Sequence, residues 1–562
     1  MLYYIAGIML LLGILVFIHE FGHFYVAKLC GMKVKTFSIG MGPKLFKFTR
    51  GETEYALSLI PFGGYVNIMG QDPQEDVPDN EKHRSFSKMP LLKRFAVVIA
   101  GPTANFILTF LVFWLLFTKG FPSPSATIHF VQPNSPAAQV GIIAGDKILS
   151  IQSEQAQQDI RELSDLQRFL RTSQESLFKL KIEREGKTQE LSLQGKIGKM
   201  SDSLSGIDRE SVTLPGAEFQ SHPPIFAVQK KSPLSKKYSK NFFIVEALKI
   251  GEQKTEIDSI YQLENAWKKN KDQKQSLSLI VHFLDAQNEK EAEAETLEIG
   301  VPSSDTLTSY GFVPAHLMIT QILEGSAADK LGLKKGDILK ELNQQTVWTF
   351  SQFRNRLQEI SSSHQSLNLK WLRDGELKEG SFTPQYVENE NPITQVKEKK
   401  FQLGAMFVGF SEASFEKVKA KNLMDGIRLS ATKTWNMSAS ILESFVFLAT
   451  GKVSVKAMGG PVMIGKIAGD SLRLGFDSFM KMLAFISLNL CILNLMPLPV
   501  LDGGHIVLFA IEGIIRRPIP SKIIEGWATV GAIMLIGLAL FVTFNDLSKL
   551  NFLSHILKLF GK

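Results

Sequence analysis

The stretch His19-Glu20-Phe21-Gly22-His23 sets two imidazoles four residues apart, with a carboxylate beside the first. On a helix, positions i and i+4 project from one face, so both rings can reach a single ion. Zinc takes imidazole nitrogen readily, and a catalytic zinc keeps one position open for water. A glutamate next to such a ligand is placed to take a proton from that water. The pattern lies inside an apolar run that opens the chain. Ionisable groups are costly in hydrocarbon, so their presence there reads as functional. A pair of interfacial histidines near a helix end is the competing reading.

A third ligand is needed, and "NLMPLPVLDGGHIV" (494–507) offers Asp502, set between apolar stretches and followed by Gly503 and Gly504. Pro497 and Pro499 break any helix before it, and broken backbone at membrane depth is tolerated where it lines a cavity. His505 is a rival ligand or a partner of one. A simple helix cap would explain the aspartate and glycines but not the prolines ahead of them.

The elements that must hold these residues are mostly membrane spans. The chain has 562 residues, 44% hydrophobic and 21% charged, which suggests a soluble protein with spans added. Four stretches reach the roughly 20 apolar residues a bilayer requires: 1–29, 95–118, 477–515 (the last broken at its prolines) and 525–545. A weaker stretch, "SASILESFVFLAT" (438–450), carries Glu443, and 411–475 is expected to form interfacial amphipathic helices. Lysines and arginines crowd 28–94, including Lys93 and Arg94, while none precedes Leu15. Short loops rich in these residues stay cytoplasmic, so the amino terminus and everything between the second and third spans face outward. Lys549, Lys558 and Lys562 in the outward tail run weakly against that rule. The first segment has no basic residue at its start, so it is a poor signal peptide. The net charge of +8 is scattered, with no basic tract or aromatic platform, which excludes a nucleic-acid binder. The only cysteines are Cys30 and Cys491, so the outward region folds without disulfides.

Residues 30–94 hold two alternating stretches around Gly40, Gly42, Gly63 and Gly64, which predict a cytoplasmic or re-entrant β-hairpin. The outward region repeats itself. "VQPNSPAAQVGIIAGDKILSIQ" (131–152) and "ITQILEGSAADKLGLKKGDILKELN" (319–343) share S-x-A-x-x-x-G, an apolar residue, then x-x-G-D-x-I-L. These copies resemble PDZ domains, expected at 124–197 and 312–386. A degenerate copy without the x-x-G-D turn is expected at 222–302. The polar stretches 198–222 and 287–296 read as linker or surface loop.

H-E-F-G-H in a first span with N-x-x-P-x-P-x-L-D-G-G in a later one resembles the site-2 protease family of intramembrane zinc metalloproteases. The outward PDZ-like block narrows the likeness to its bacterial regulator-of-sigma-E protease branch. The resemblance implies an α-helical transmembrane core of about four spans with a membrane-associated β-hairpin or sheet, plus extracytoplasmic α+β PDZ-like domains. It implies Zn2+ held by His19, His23 and Asp502, with Glu20 as general base. Asn494 and Pro497 would contact substrate, and so would the hairpin near Gly63 and Gly64, whose open edge can pair with an unwound segment. The implied substrates are single-span membrane proteins, anti-sigma factors or remnant signal peptides, cut within the inner (cytoplasmic) membrane. The PDZ-like block would face the periplasm. Its grooves would take peptides or carboxyl termini, or the block would exclude bulky outer domains. The alternative is a catalytically inactive, membrane-tethered PDZ sensor or scaffold, and a zinc transporter is a more distant one. Glu20 separates the first two, because a dead relative usually loses its base.

Overall fold

The computed structural model describes residues 2–549 except 73–74, 174, 202–207, 222–223, 229–241, 258, 284–292, 303–311, 362–365, 374–375, 391–396, 408–411, 414, 452–454 and 456–457. The stretches expected as linkers, 198–222 and 287–296, lie partly outside these residues, and so does the tail with Lys558 and Lys562.

The chain begins with helix α1 (Leu2–Leu29), apolar almost throughout. It leads into strands β1 (Val34–Arg50) and β2 (Thr53–Ile68). These strands bend, so the pairing doubles back: 34–39 pairs with 64–68 on one side and with 54–57 on the other, while 44–50 pairs with 53–58. The bends fall at Gly40, Gly42 and Gly63, all with positive φ, a conformation that costs glycine little. No strand lies beyond 64–68 among the described residues, so its outer edge is open. At the far end of the hairpin, Phe46 (73%) and Phe48 (65%) stand exposed, with Met41, Leu57 and Leu59 around them. At its base the Glu52 carboxylate accepts from Lys28 (2.8 Å) at the end of α1 and from Arg84 (2.6 Å). First Arg84 and then Lys28 hold the Glu52 carboxyl down, to about 2.

Helix α2 (Leu91–Lys119) contains Pro102. It starts four residues before the expected span. Lys93 and Arg94 end the apolar run there but not the helix, since helical hydrogen bonds do not depend on hydropathy.

Beyond α2 the chain forms three units, each with a core of its own. In the first, Ser135 caps the short helix α3 (Pro136–Gln139), which is the serine of the repeated motif. Its sheet runs 157–159, 147–152, 177–184, 187–194, with helix α4 (Leu163–Thr172) between the second and third of these. The core also takes Val212 and Leu214, past the expected boundary at 197. The middle unit repeats the pairing of 253–256 on 242–250, 242–250 on 277–283 and 277–283 on 295–300, with helix α5 (Ile260–Asp272). In the last unit Ser326 caps α6 (Ala327–Lys330), and helix α7 (Phe350–Ser361) precedes the third strand. Its sheet runs 345–346, 338–342, 367–373, 376–382, the same order as in the first unit.

The aspartate of each G-x-x-x-G-D turn is buried against an arginine from the third strand. Arg184 grips Asp146 at 2.7 Å through Nε and 2.7 Å through Nη2, and Nη2 also donates to the Gly141 carbonyl. Arg373 grips Asp337 at 2.8 and 2.6 Å and donates to the Gly332 carbonyl. Asp337 is 1% exposed, so removing its partner strands a charge. Arg373→Ala should destabilise the last unit by about 3–5 kcal/mol, as for other broken buried pairs, in urea unfolding followed by hydrogen exchange. A loss under about 0.5 kcal/mol, the size of ordinary surface substitutions, would show that the pair contributes nothing.

The block formed by the three units leaves and rejoins the membrane core as a ribbon, 121–124 pairing with 415–418. Helix α8 (Leu423–Ala449) follows. It is far longer than the apolar stretch 438–450, because the amphipathic turns before Ser438 continue the same helix. Its Asp425 takes a two-pronged bond from Arg161 (3.0 and 2.8 Å), and its Lys433 binds Glu162 of the first unit. Helices α9 (Pro461–Arg473), α10 (Phe476–Leu495), α11 (Asp502–Ile515) and α12 (Ser521–Lys549) complete the chain. Among the described residues four helices are long and apolar enough to cross a membrane: Tyr3–Leu29, Leu91–Lys119, Phe476–Leu495 and Lys522–Leu547. Between α10 and α11 the backbone breaks, with Val500 at φ +75°, a strained setting for a β-branched residue. A side chain on Gly503 or Gly504 would strike the carbonyls of Met496 or Leu498, so only glycine lets the turn close this tightly.

Candidate metal centre

The helical spacing of α1 puts His19 and His23 on one face, their Nε2 atoms 3.2 Å apart. The break before α11 aims Asp502 at them. Its Oδ2 is 3.3 Å from His19 Nε2 and 3.6 Å from His23 Nε2. A tetrahedral ion with bonds of about 2.0–2.2 Å needs ligand atoms about 3.4 Å apart, and these three edges bracket that value. His19, His23 and Asp502 are the one group of three or more potential ligands brought together among the described residues. His505 lies on the wall of the same cavity but outside this group.

The imidazoles are oriented from α2, as ligating histidines require. His23 Nδ1 donates to the Val97 carbonyl at 2.8 Å. His19 Nδ1 meets the Asn105 side-chain amide at 3.2 Å. Asn105 is fully buried, and its Oδ1 has no partner. With Nε2 on a metal, His19 Nδ1 carries the proton and must donate. A half turn of the Asn105 amide gives that proton an acceptor and the orphaned oxygen its bond. The donor set and its supports thus fit zinc. The close approach of α1 and α2 depends on small residues: a side chain at Gly22 would strike Ala100, and one at Gly101 would strike the His23 ring.

The surrounding cavity holds about 790 Å³. Glu20 lies on its wall, next to Gly64: a Cβ there would come 3.2 Å from Glu20 Cγ. Gly63 is also on the wall, so the open edge of β2 borders the metal group. Asn494 reaches His19 Nε2 at 3.4 Å from the end of α10. Pro497 stands exposed in the break and is not part of the wall.

Asn105 escaped the sequence reading. Its one signal was an amide in the middle of an apolar span, "GPTANFILTF", with no spacing to link it to a histidine 86 positions away. Asn105→Ala should weaken zinc binding about 10–100-fold, the usual effect of losing a group that orients a ligand. Chelator competition measures it, and wild-type affinity in the variant would remove Asn105 from the site.

Comparison with known proteins agrees with this chemistry. The profile described as Peptidase family M50 matches residues 7–538. A Haemophilus influenzae protein named regulator of sigma E protease is 28% identical over 557 residues, covering 98% of this chain and 99% of its own. The Escherichia coli regulator of sigma-E protease RseP is 27% identical over 559 residues, covering 97% and 98%. A Vibrio cholerae protein named as a zinc metalloprotease is 28% identical, covering 96% and 97%. Among solved structures, a PDZ domain protein from Parabacteroides distasonis covers 47% of this chain and 94% of its own, at 8% identity and a TM-score of 0.13, which carries no weight for the fold.

Proposed function

The chain belongs to Peptidase family M50 and is a membrane zinc metalloprotease, and from that premise we propose that it cuts peptide bonds inside the bilayer. The observation that carries this reading is Glu20, His19 and His23 on a spanning helix, met by Asp502 from the broken turn that follows another spanning helix, and bordered by an open strand edge.

Bound zinc supplies a Lewis acid and lowers the pKa of water. His19, His23 and Asp502 hold it. The Glu20 carboxylate takes a proton from the attacking water and returns it to the nitrogen of the departing amine. A substrate helix hides its backbone, so it must unwind before it can be cut. The edge at 64–68, with Gly63 and Gly64 beside it, can hold the unwound segment as an added strand, since no other strand pairs with its outer side among the described residues. The exposed Phe46 and Phe48 let the hairpin dip into lipid. Asn494 can donate to a substrate carbonyl near the metal, and Pro497 keeps the chain broken there.

The substrates would be single-span membrane proteins, anti-sigma factors or remnant signal peptides, as the family resemblance of the motifs implies. The three outward units, read as PDZ-like domains on the periplasmic side of the inner membrane, would turn away substrates that still carry a folded outer domain. The test incubates purified protein with a single-span substrate, intact and pre-trimmed, and maps the cut by mass spectrometry. A zinc-dependent cut within the span of the trimmed form is expected. Cuts confined to the flanking loops would sink the intramembrane reading.

Topology is tested separately, in a background lacking Cys30 and Cys491. A cysteine at the exposed Thr188 should be labelled in spheroplasts, and one at Asp79 only after permeabilisation. The reverse pattern would put the outward units in the cytoplasm.

A further inference from the structure

Two of the ligands come from α1 and the third from α11, so something must hold these helices in register. Helix α11 is joined to α10 only through the broken turn, whose Val500 is strained. It is a lever, with Asp502 at one end and Glu512 ten residues on, about 15 Å away at 1.5 Å per residue. Asp502, His505, Phe509 and Glu512 follow one another at i, i+3, i+7 and i+10, and all four line the cavity. Glu512 is gripped by Arg94 at the start of α2, Nη1 to Oε2 at 3.1 Å and Nη2 to Oε1 at 2.5 Å. Both side chains are mostly buried, at 13% and 17% exposure. Arg94 Nε donates to the Met89 carbonyl, and the guanidinium lies 5.1 Å above the Phe509 ring. Beyond the metal group, this is the one ion pair α11 makes among the described residues. The same face of α2 continues from Arg94 to Val97, which orients His23, and to Asn105, which orients His19.

We propose that Arg94 is a positioning residue of the metal centre: through Glu512 it clamps the far end of α11 and so holds Asp502 in register with His19 and His23. Helix α2 thereby becomes the common rail for all three ligands. The proposal rests on the zinc site described above and is independent of the substrate.

The experiment measures zinc affinity of the purified full-length protein in detergent by competition with a chromophoric chelator. Wild type is measured first, and a wild type that binds no zinc would sink the metal centre and this clamp with it. Arg94→Ala and Glu512→Ala are each expected to weaken zinc about 10–100-fold, the range for groups that orient ligands. The double variant should be no weaker than the worse single one, because the two side chains act as a unit. Arg94→Lys keeps the charge but loses the fork, and should fall between. Unfolding is followed in parallel with zinc removed. A lowered unfolding temperature with unchanged zinc affinity would make the pair merely structural and overturn the proposal. Additive losses would do the same. Should the alanine variants fail to fold, Arg94→Lys and Glu512→Gln decide, and wild-type affinity in both rejects the clamp.

Discussion

Glu20→Gln is expected to bind zinc as the wild type does and to lose cleavage by about 10²–10⁴-fold, the range general acid–base catalysis supplies. The amide keeps the size of the carboxylate, so α1 and the hairpin beside it need not move. What it loses is the ability to accept a proton. Glu20 is not in the ligand group, so metal content has no reason to change. The measurement pairs zinc content with cleavage of a synthetic transmembrane peptide. Activity within about threefold of wild type would remove Glu20 as the base and assign proton transfer to another group. Loss of zinc along with activity would instead make Glu20 a support of the site.

Asp502→Ala is expected to lose both zinc and activity. Its Oδ2 supplies two of the three ligand–ligand edges, at 3.3 and 3.6 Å. Without it only two imidazoles remain, fewer than the three protein ligands a catalytic zinc site uses. His19→Ala and His23→Ala should behave alike, each leaving an incomplete set. Addition of excess zinc should restore part of the activity if the remaining pair still binds weakly. Full occupancy in Asp502→Ala at stoichiometric zinc would exclude that residue as a ligand and promote His505, which lines the same cavity three residues on. Thermal unfolding with and without chelator guards against a variant that has simply unfolded, because only the wild type should be stabilised by the metal.

The two histidines and the glutamate were legible because they need only one helix. Spacing of i and i+4 fixes their common face before any other part of the chain has folded. The prolines and glycines around Asp502 likewise announced a broken backbone from local sterics alone. The serine caps and G-x-x-x-G-D turns of the first and last units showed as a repeat, because each is a short-range device. Periodicity also exposed the hairpin, but it held no information on how β1 bends to pair on both sides with β2.

Tertiary structure decided the rest. That Asp502, rather than His505, joins the histidines depends on how α11 leaves its turn, which the pattern D-G-G-H leaves open. Asn105 became visible only when α2 packed against α1, since an isolated amide in an apolar span has no spacing to match. Arg94 looked like one of many cytoplasmic charges that orient a membrane protein. Only the fold brings it to Glu512, 418 positions later in the chain. Local patterns record what a residue prefers within one turn or one strand. Partners separated by hundreds of residues leave no such trace, because their meeting is set by packing and not by spacing.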